Sequence, residues 1–207
     1  MMLDEFITTL IQIILFSIIP FIVYIISNKR VKGFFRYVGL FKPQKQTTIL
    51  AIITSVIMVT GGTLTPLLSP EIKELMCMKG TVSGNLKALG LSFDSFVILG
   101  IIALLKTSLS EEILFRGFIA KRLISWLGFG AGNTIQSALF GLLHIGLLML
   151  IADPELWFLI SVFIFSGTAG FILGYIKEKL GNGSIIPGWI AHGTANFISF
   201  FLIAFII

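Results

Sequence analysis

Residues 94–126 read DSFVILGIIALLKTSLSEEILFRGFIAKRLISW, and the way this stretch divides decides the fold. It is apolar enough to enter a membrane, yet Glu111, Glu112 and Arg116 fall close together inside it. Two short helices broken near KTSLS, with Ser110 capping a fresh helix at Glu111, would give the chain seven spans. One continuous helix, about 48 Å long at 1.5 Å per residue, would give six.

The rest of the chain is more apolar still. Hydrophobic residues make up 56% of the 207, charged residues only 12%, and the mean hydropathy is +1.02. A soluble domain is about a quarter charged, so this composition defines an all-α, polytopic transmembrane helix bundle of six to seven spans. A span needs about 20 mostly apolar residues, which predicts helices over 5–27, 47–68, 131–151, 156–176 and 184–207. Loops are predicted at 28–46, 69–93, 152–155 and 177–183, with helix stops at GFGAGN (128–133) and GNG (181–183). Asp4 and Glu5 occupy the place of a basic leader, and no small-residue cleavage site follows, so the first apolar run is expected to be a retained span. The expected organisation is one membrane domain, with N-terminal helices and loops over 1–93 and a catalytic helical core over 94–207.

Charge placement orients the bundle. Lys29, Arg30, Lys32, Arg36, Lys42 and Lys45 lie in one stretch without an acid, the mark of a cytoplasmic loop facing anionic lipid. The net charge of +5 therefore speaks for the lipid bilayer as partner and against nucleic acid. With loop 28–46 cytoplasmic, six spans put Lys121, Arg122, Lys177 and Lys179 inside and Asp153 and Glu155 outside. Seven spans reverse all six placements, so the positive-inside rule favours six. Cys77 is the single cysteine, which excludes an intramolecular disulfide.

Ionisable residues within spans are rare and usually serve function. Glu111, Glu112 and Arg116 lie in 94–126, His144 in 131–151, and His192 and Asn196 in the last span. Glu112 and Arg116 are four apart and can pair on one helix face, as can His192 and Asn196. Glu111 projects about 100° away from Glu112 and is free to face another neighbour. Each residue also has a plain reading: a Glu–Arg clamp, packed histidines, an asparagine bonding between helices. Together they suit hydrolysis. A buried carboxylate with a histidine makes a general base for water, and a histidine with an asparagine can donate to an oxyanion. Alternatively Glu111, His144 and His192 could ligate zinc and leave a fourth position for water. Asp94 is placed at a helix start and Lys106 in a snorkelling position. Trp126, Trp157 and Trp189 read as interfacial anchors, Trp189 lying close to His192 in sequence. Gly167, Gly170 and Gly174 have the spacing for close helix packing.

EEILFR (111–116), FGLLH (140–144) and HGTAN (192–196), with the flanking FRGFI and IPGWIAHGTANF, resemble the type II CAAX prenyl endopeptidase family. That family is also known as the CAAX protease and bacteriocin-processing, or abortive infection, family. The resemblance covers roughly residues 95–205 and implies an intramembrane endopeptidase acting on peptides or membrane proteins. By position it implies that Glu111 and His144 activate water, that His192 and Asn196 stabilise the oxyanion, and that Glu112 and Arg116 support the site. It leaves open whether a cofactor is needed: none, or zinc. Two other classes remain. One is a non-catalytic immunity or scaffold protein binding a peptide or partner in the same cavity. The other is a small carrier, which no inverted repeat supports.

Overall fold

A computed structural model describes residues 2–43 and 45–207; Gln44, in the basic loop, lies outside the described residues. The chain is a helical bundle. Helix α1 (Met2–Asn28) leads through a single-turn α2 (Phe34–Tyr37) to α3 (Lys45–Leu68). Two short helices follow, α4 (Pro70–Met76) and α5 (Val82–Leu89). The helical run Phe93–Met149 then breaks at Gly128 (φ 78, ψ 168). Its two legs are named α6 (93–127) and α7 (129–149). Helices α8 (Leu156–Leu180) and α9 (Ile186–Phe205) complete the bundle.

Among the described residues, five helical runs are long and apolar enough to cross a membrane. The Phe93–Met149 run folds back at Gly128 into two legs, an arrangement compatible with the expected six to seven spans. The reversal is tight: a Cβ on Gly132 would stand 2.5 Å from the backbone of Leu123 and Ile124. Phe115 and Phe140 meet across the two legs with ring centroids 5.0 Å apart.

No break occurs at KTSLS. Ser110 is not an N-cap; its hydroxyl turns back onto the Lys106 carbonyl inside α6. Residues Ile101–Leu109 and Glu112–Ala120 instead form wide π-helical turns. The Ser108 hydroxyl donates to the Ala103 carbonyl five residues back (2.6 Å), and that of Thr107 to the Ile102 carbonyl (3.1 Å). Polar side chains thus satisfy backbone acceptors loosened by the wider turn, which lets α6 continue through a charged stretch.

Two expected loops are partly helical. Within 69–93, Ser69 caps α4 ahead of Pro70, and Thr81 caps α5 by accepting from the Gly84 amide (3.0 Å). Helix α8 runs to Leu180, taking in the start of KEKLGNG. Helix α6 begins as expected, with Ser92 as N-cap and Asp94 in the first turn.

The glycine stripe of α8 packs on α7. A Cβ on Gly170 would lie 3.3 Å from Ser137, and one on Gly174 only 2.0 Å from Asn133 Oδ1. At this close approach Gln136 Nε2 donates to the Gly170 carbonyl (2.9 Å) and Asn133 Nδ2 to the Phe171 carbonyl (2.9 Å). In lipid, such small-residue contacts and buried amides carry the helix–helix attraction. Gly174→Ala should therefore weaken the α7–α8 contact by about 1–3 kcal/mol through overpacking. A lowered midpoint in detergent thermal unfolding is the expected readout, and an unchanged midpoint would contradict it.

Candidate functional site

Helices α6, α7 and α9 meet where the charged residues lie. Glu112 and Arg116 are both fully buried, with Arg116 Nη1 3.2 Å from Glu112 Oε1. That carboxylate oxygen is shared, since His192 Nδ1 of α9 approaches it at 3.4 Å. The other ring nitrogen, Nε2, faces Glu111 Oε2 at 3.8 Å. One imidazole is therefore held between two consecutive carboxylates. Glu111, free of Arg116 as its spacing implies, faces His192, and the wide π turns and the approach of α9 bring Glu112 to the same ring.

Two features of the packing make this possible. Gly188, one turn before His192, leaves room for Glu112, because a Cβ there would stand 2.8 Å from Glu112 Oε2. Phe140 of α7 covers the guanidinium of Arg116, 4.1 Å from the ring centroid. The same ring lies 4.5 Å from His144 and 6.0 Å from His192. A cation–π contact in low dielectric is worth about 2 kcal/mol, and it helps a buried arginine that has a single carboxylate partner. Phe140 opens the FGLLH stretch, and its spacing from His144 puts both on one face of α7.

The remaining candidates lie around this centre. Asn196 sits one turn beyond His192, and its Nδ2 donates to Thr107 Oγ1 (3.0 Å) and, more distantly, Ser108 Oγ (3.4 Å) on α6. His144 stands across Phe140, with Nδ1 2.8 Å from the Phe140 carbonyl of its own helix. No hydrogen bond or ion pair joins His144 to Glu111 or His192 among the described residues. The possible zinc ligands Glu111, His144 and His192 consequently do not assemble: no group of three His, Cys, Asp or Glu side chains is placed to hold a metal ion among the described residues.

Glu111 is 7% exposed and forms part of the wall of a cavity of about 1010 Å³. Gln12 of α1, Leu89 of α5, Lys106 and Thr107 of α6, and Leu147 of α7 contribute to the same wall. Lys106 reaches toward the start of α1. Its ammonium pairs with Glu5 (2.6 Å) and donates to Thr8 Oγ1 (3.1 Å), tying α1 to α6 beside the cavity. Gln12 adds a bond from Nε2 to the Lys106 carbonyl (2.8 Å). Cys77, expected in an exterior loop, lines this cavity from the end of α4. Trp189 donates from Nε1 to the Leu104 carbonyl (2.6 Å) and braces α9 on α6.

A buried histidine between two carboxylates, beside a large cavity in an apolar helical bundle, defines a membrane protein with a polar centre enclosed by its helices. Residues 93–198 match the family model described as Type II CAAX prenyl endopeptidase Rce1-like. The chain belongs to that family, whose CAAX protease activity points to a hydrolase. No curated protein and no solved structure matches the chain. Gly188→Ala should displace the Glu112 carboxylate and lower any activity about 10²-fold, the usual effect of a 1 Å misplacement. Arg116→Ala should instead cost roughly 3–5 kcal/mol by stranding Glu112 in the bundle. Detergent-solubilised yield and thermal unfolding would separate the two: folded but slow for Gly188→Ala, poorly folded for Arg116→Ala.

Proposed function

We propose that the chain is an intramembrane endopeptidase that hydrolyses peptide bonds of peptide or membrane-protein substrates by activating water on Glu111. The observation that carries this reading is the pairing of Glu111, on the cavity wall, with a His192 ring oriented by Glu112. Glu111 Oε2 is buried and has no hydrogen-bond partner in the protein, which leaves an acceptor for a water proton. His192 Nε2 stands 3.8 Å from that oxygen and Nδ1 3.4 Å from Glu112 Oε1, so the ring faces the same space as the acceptor.

The chemistry follows from that geometry. Glu111 takes a proton from water as the oxygen adds to the scissile carbonyl carbon. The carbonyl oxygen becomes an oxyanion, and His192 Nε2–H turns from the now neutral Glu111 to the new charge. Asn196 has two N–H bonds, and its longer contact, to Ser108, is the one that a substrate oxygen would replace. Collapse breaks the C–N bond, and the proton held by Glu111 passes to the leaving amine. Glu112 and Arg116 position His192. His144, beyond Phe140, acts with Glu111 on the water once substrate fills the cavity.

The direction of access bears on the substrate. Glu5, near the start of α1, flanks the cavity, whereas the basic loop begins at the far end of α1. With loop 28–46 cytoplasmic by the positive-inside rule, the cavity opens toward the outer side of the membrane. Peptides or membrane-protein segments presented on that side fit better than prenylated cytoplasmic proteins.

Cleavage of a peptide library by the purified protein in detergent, followed by mass spectrometry, tests this reading. Wild type should cleave with or without chelator. Glu111→Ala, His144→Ala and His192→Ala should each nearly abolish cleavage while remaining folded. Asn196→Ala should cost about 10²–10³ in rate, the usual value of one oxyanion donor. Cleavage retained by Glu111→Ala would remove water activation from that residue. Loss on chelation with recovery on zinc would replace the metal-free scheme. Peptide retention without turnover by wild type would favour the immunity or scaffold reading.

A further inference from the structure

The end of the bundle away from the Glu111 cavity carries a second cleft, of about 500 Å³. Arg30 and Arg36 from the α1–α3 connection, Lys121 of α6 and Lys177 of α8 line it, with Glu178 as the one acid. Lys177 is buried and pairs with Glu178. The three other cations are exposed at the mouth, and among the described residues no carboxylate pairs with any of them.

Neutral groups hold two of these cations in place. Lys121 Nζ donates to the Tyr37 carbonyl (3.0 Å) and lies 5.0 Å from the centre of that ring. The Arg36 guanidinium sits over Phe41 at 5.3 Å. Like charges gathered this way repel one another, and among the described residues Glu178, paired with Lys177, is the one acid that lines the cleft. The backbone around them is unusual too. Lys29 (φ 51) and Asn182 (φ 52) are the two non-glycine residues with positive φ among the described residues. Asn182 lines the cleft and Lys29 immediately precedes Arg30. Left-handed non-glycine residues tend to collect where a surface is shaped to hold a ligand.

We propose that this cleft binds a phosphate group carried by an anionic phospholipid. Two arginines beside two lysines suit a phosphate, arginine supplying forked donors and lysine a compact charge. The position favours the lipid source: the cleft lies toward the ends of the long apolar helices α1, α6 and α8, where a spanning bundle would meet headgroups. Basic pockets between spanning helices on the cytoplasmic side recognise headgroups in this way. The site is independent of the proteolytic reading and shares no residue with the Glu111 cavity.

The test is native mass spectrometry of the full chain in neutral detergent, with added phosphatidylglycerol or phosphatidylcholine. Wild type should retain phosphatidylglycerol in preference, and inorganic phosphate should compete for it. The double variant Arg30→Gln/Arg36→Gln should lose retention by about thirty-fold, from two basic contacts at a headgroup. Lys121→Gln serves as a second, milder variant if the double variant folds poorly, and should lose several-fold. Lys179→Gln removes a cation that lies over Phe129 rather than in the cleft, and should leave retention unchanged. Equal retention by wild type, the double variant and Lys121→Gln would overturn the proposal. Thermal stabilisation by inorganic phosphate, without a phosphatidylglycerol adduct, would overturn the lipid source and reassign the cleft to a soluble phosphate.

Discussion

A fully buried arginine is the constraint on which this structure turns. Arg116 cannot shed its proton and has one carboxylate within ion-pair reach, that of Glu112. In a bilayer such a pair persists only where other helices shield it and supply further polar contacts. Phe140 of α7 lies over the guanidinium, and His192 of α9 brings Nδ1 to the same Glu112 oxygen. The convergence of α6, α7 and α9 is thus the means by which two charges tolerate burial. Gly188 is part of that arrangement, since any side chain there would push Glu112 away.

Once those helices meet, the rest of the bundle acts as buttress. Helix α8 locks α7 from behind through its glycines and the Asn133 and Gln136 amides. Helix α1 is stapled to α6 by the Glu5–Lys106 pair and by Gln12. Helices α4 and α5 contribute to the remaining side of the cavity. Glu111 borders open space while Glu112, its neighbour in the chain, is sealed in. Adjacent carboxylates are thereby divided into one on the cavity wall and one enclosed against Arg116 and His192.

The molecule is electrostatically two-ended. The cavity end has carboxylates and lysines close to each other, with Glu5 and Lys106 paired. The opposite end gathers arginines and lysines from three segments with little to balance them.

Composition and periodicity by themselves determined the class of fold and the approximate positions of five long apolar helices. They also picked out Glu111, Glu112, Arg116, His144, His192 and Asn196, because ionisable and amide groups inside apolar runs are conspicuous against their surroundings. Helices α4 and α5 were less legible: their caps at Ser69 and Thr81 were present, but short amphipathic helices leave little periodic signal. Only the tertiary structure decided what each polar residue faces. Spacing along an ideal α-helix separated Glu111 from Glu112, whereas π turns and a glycine on a helix far along the chain brought both to one imidazole. His144 shared a candidate list with His192, yet an aromatic ring stands between them. Sequence shows which side chains are too polar for their surroundings; which of them meet depends on helix packing, set by contacts between residues distant in the chain.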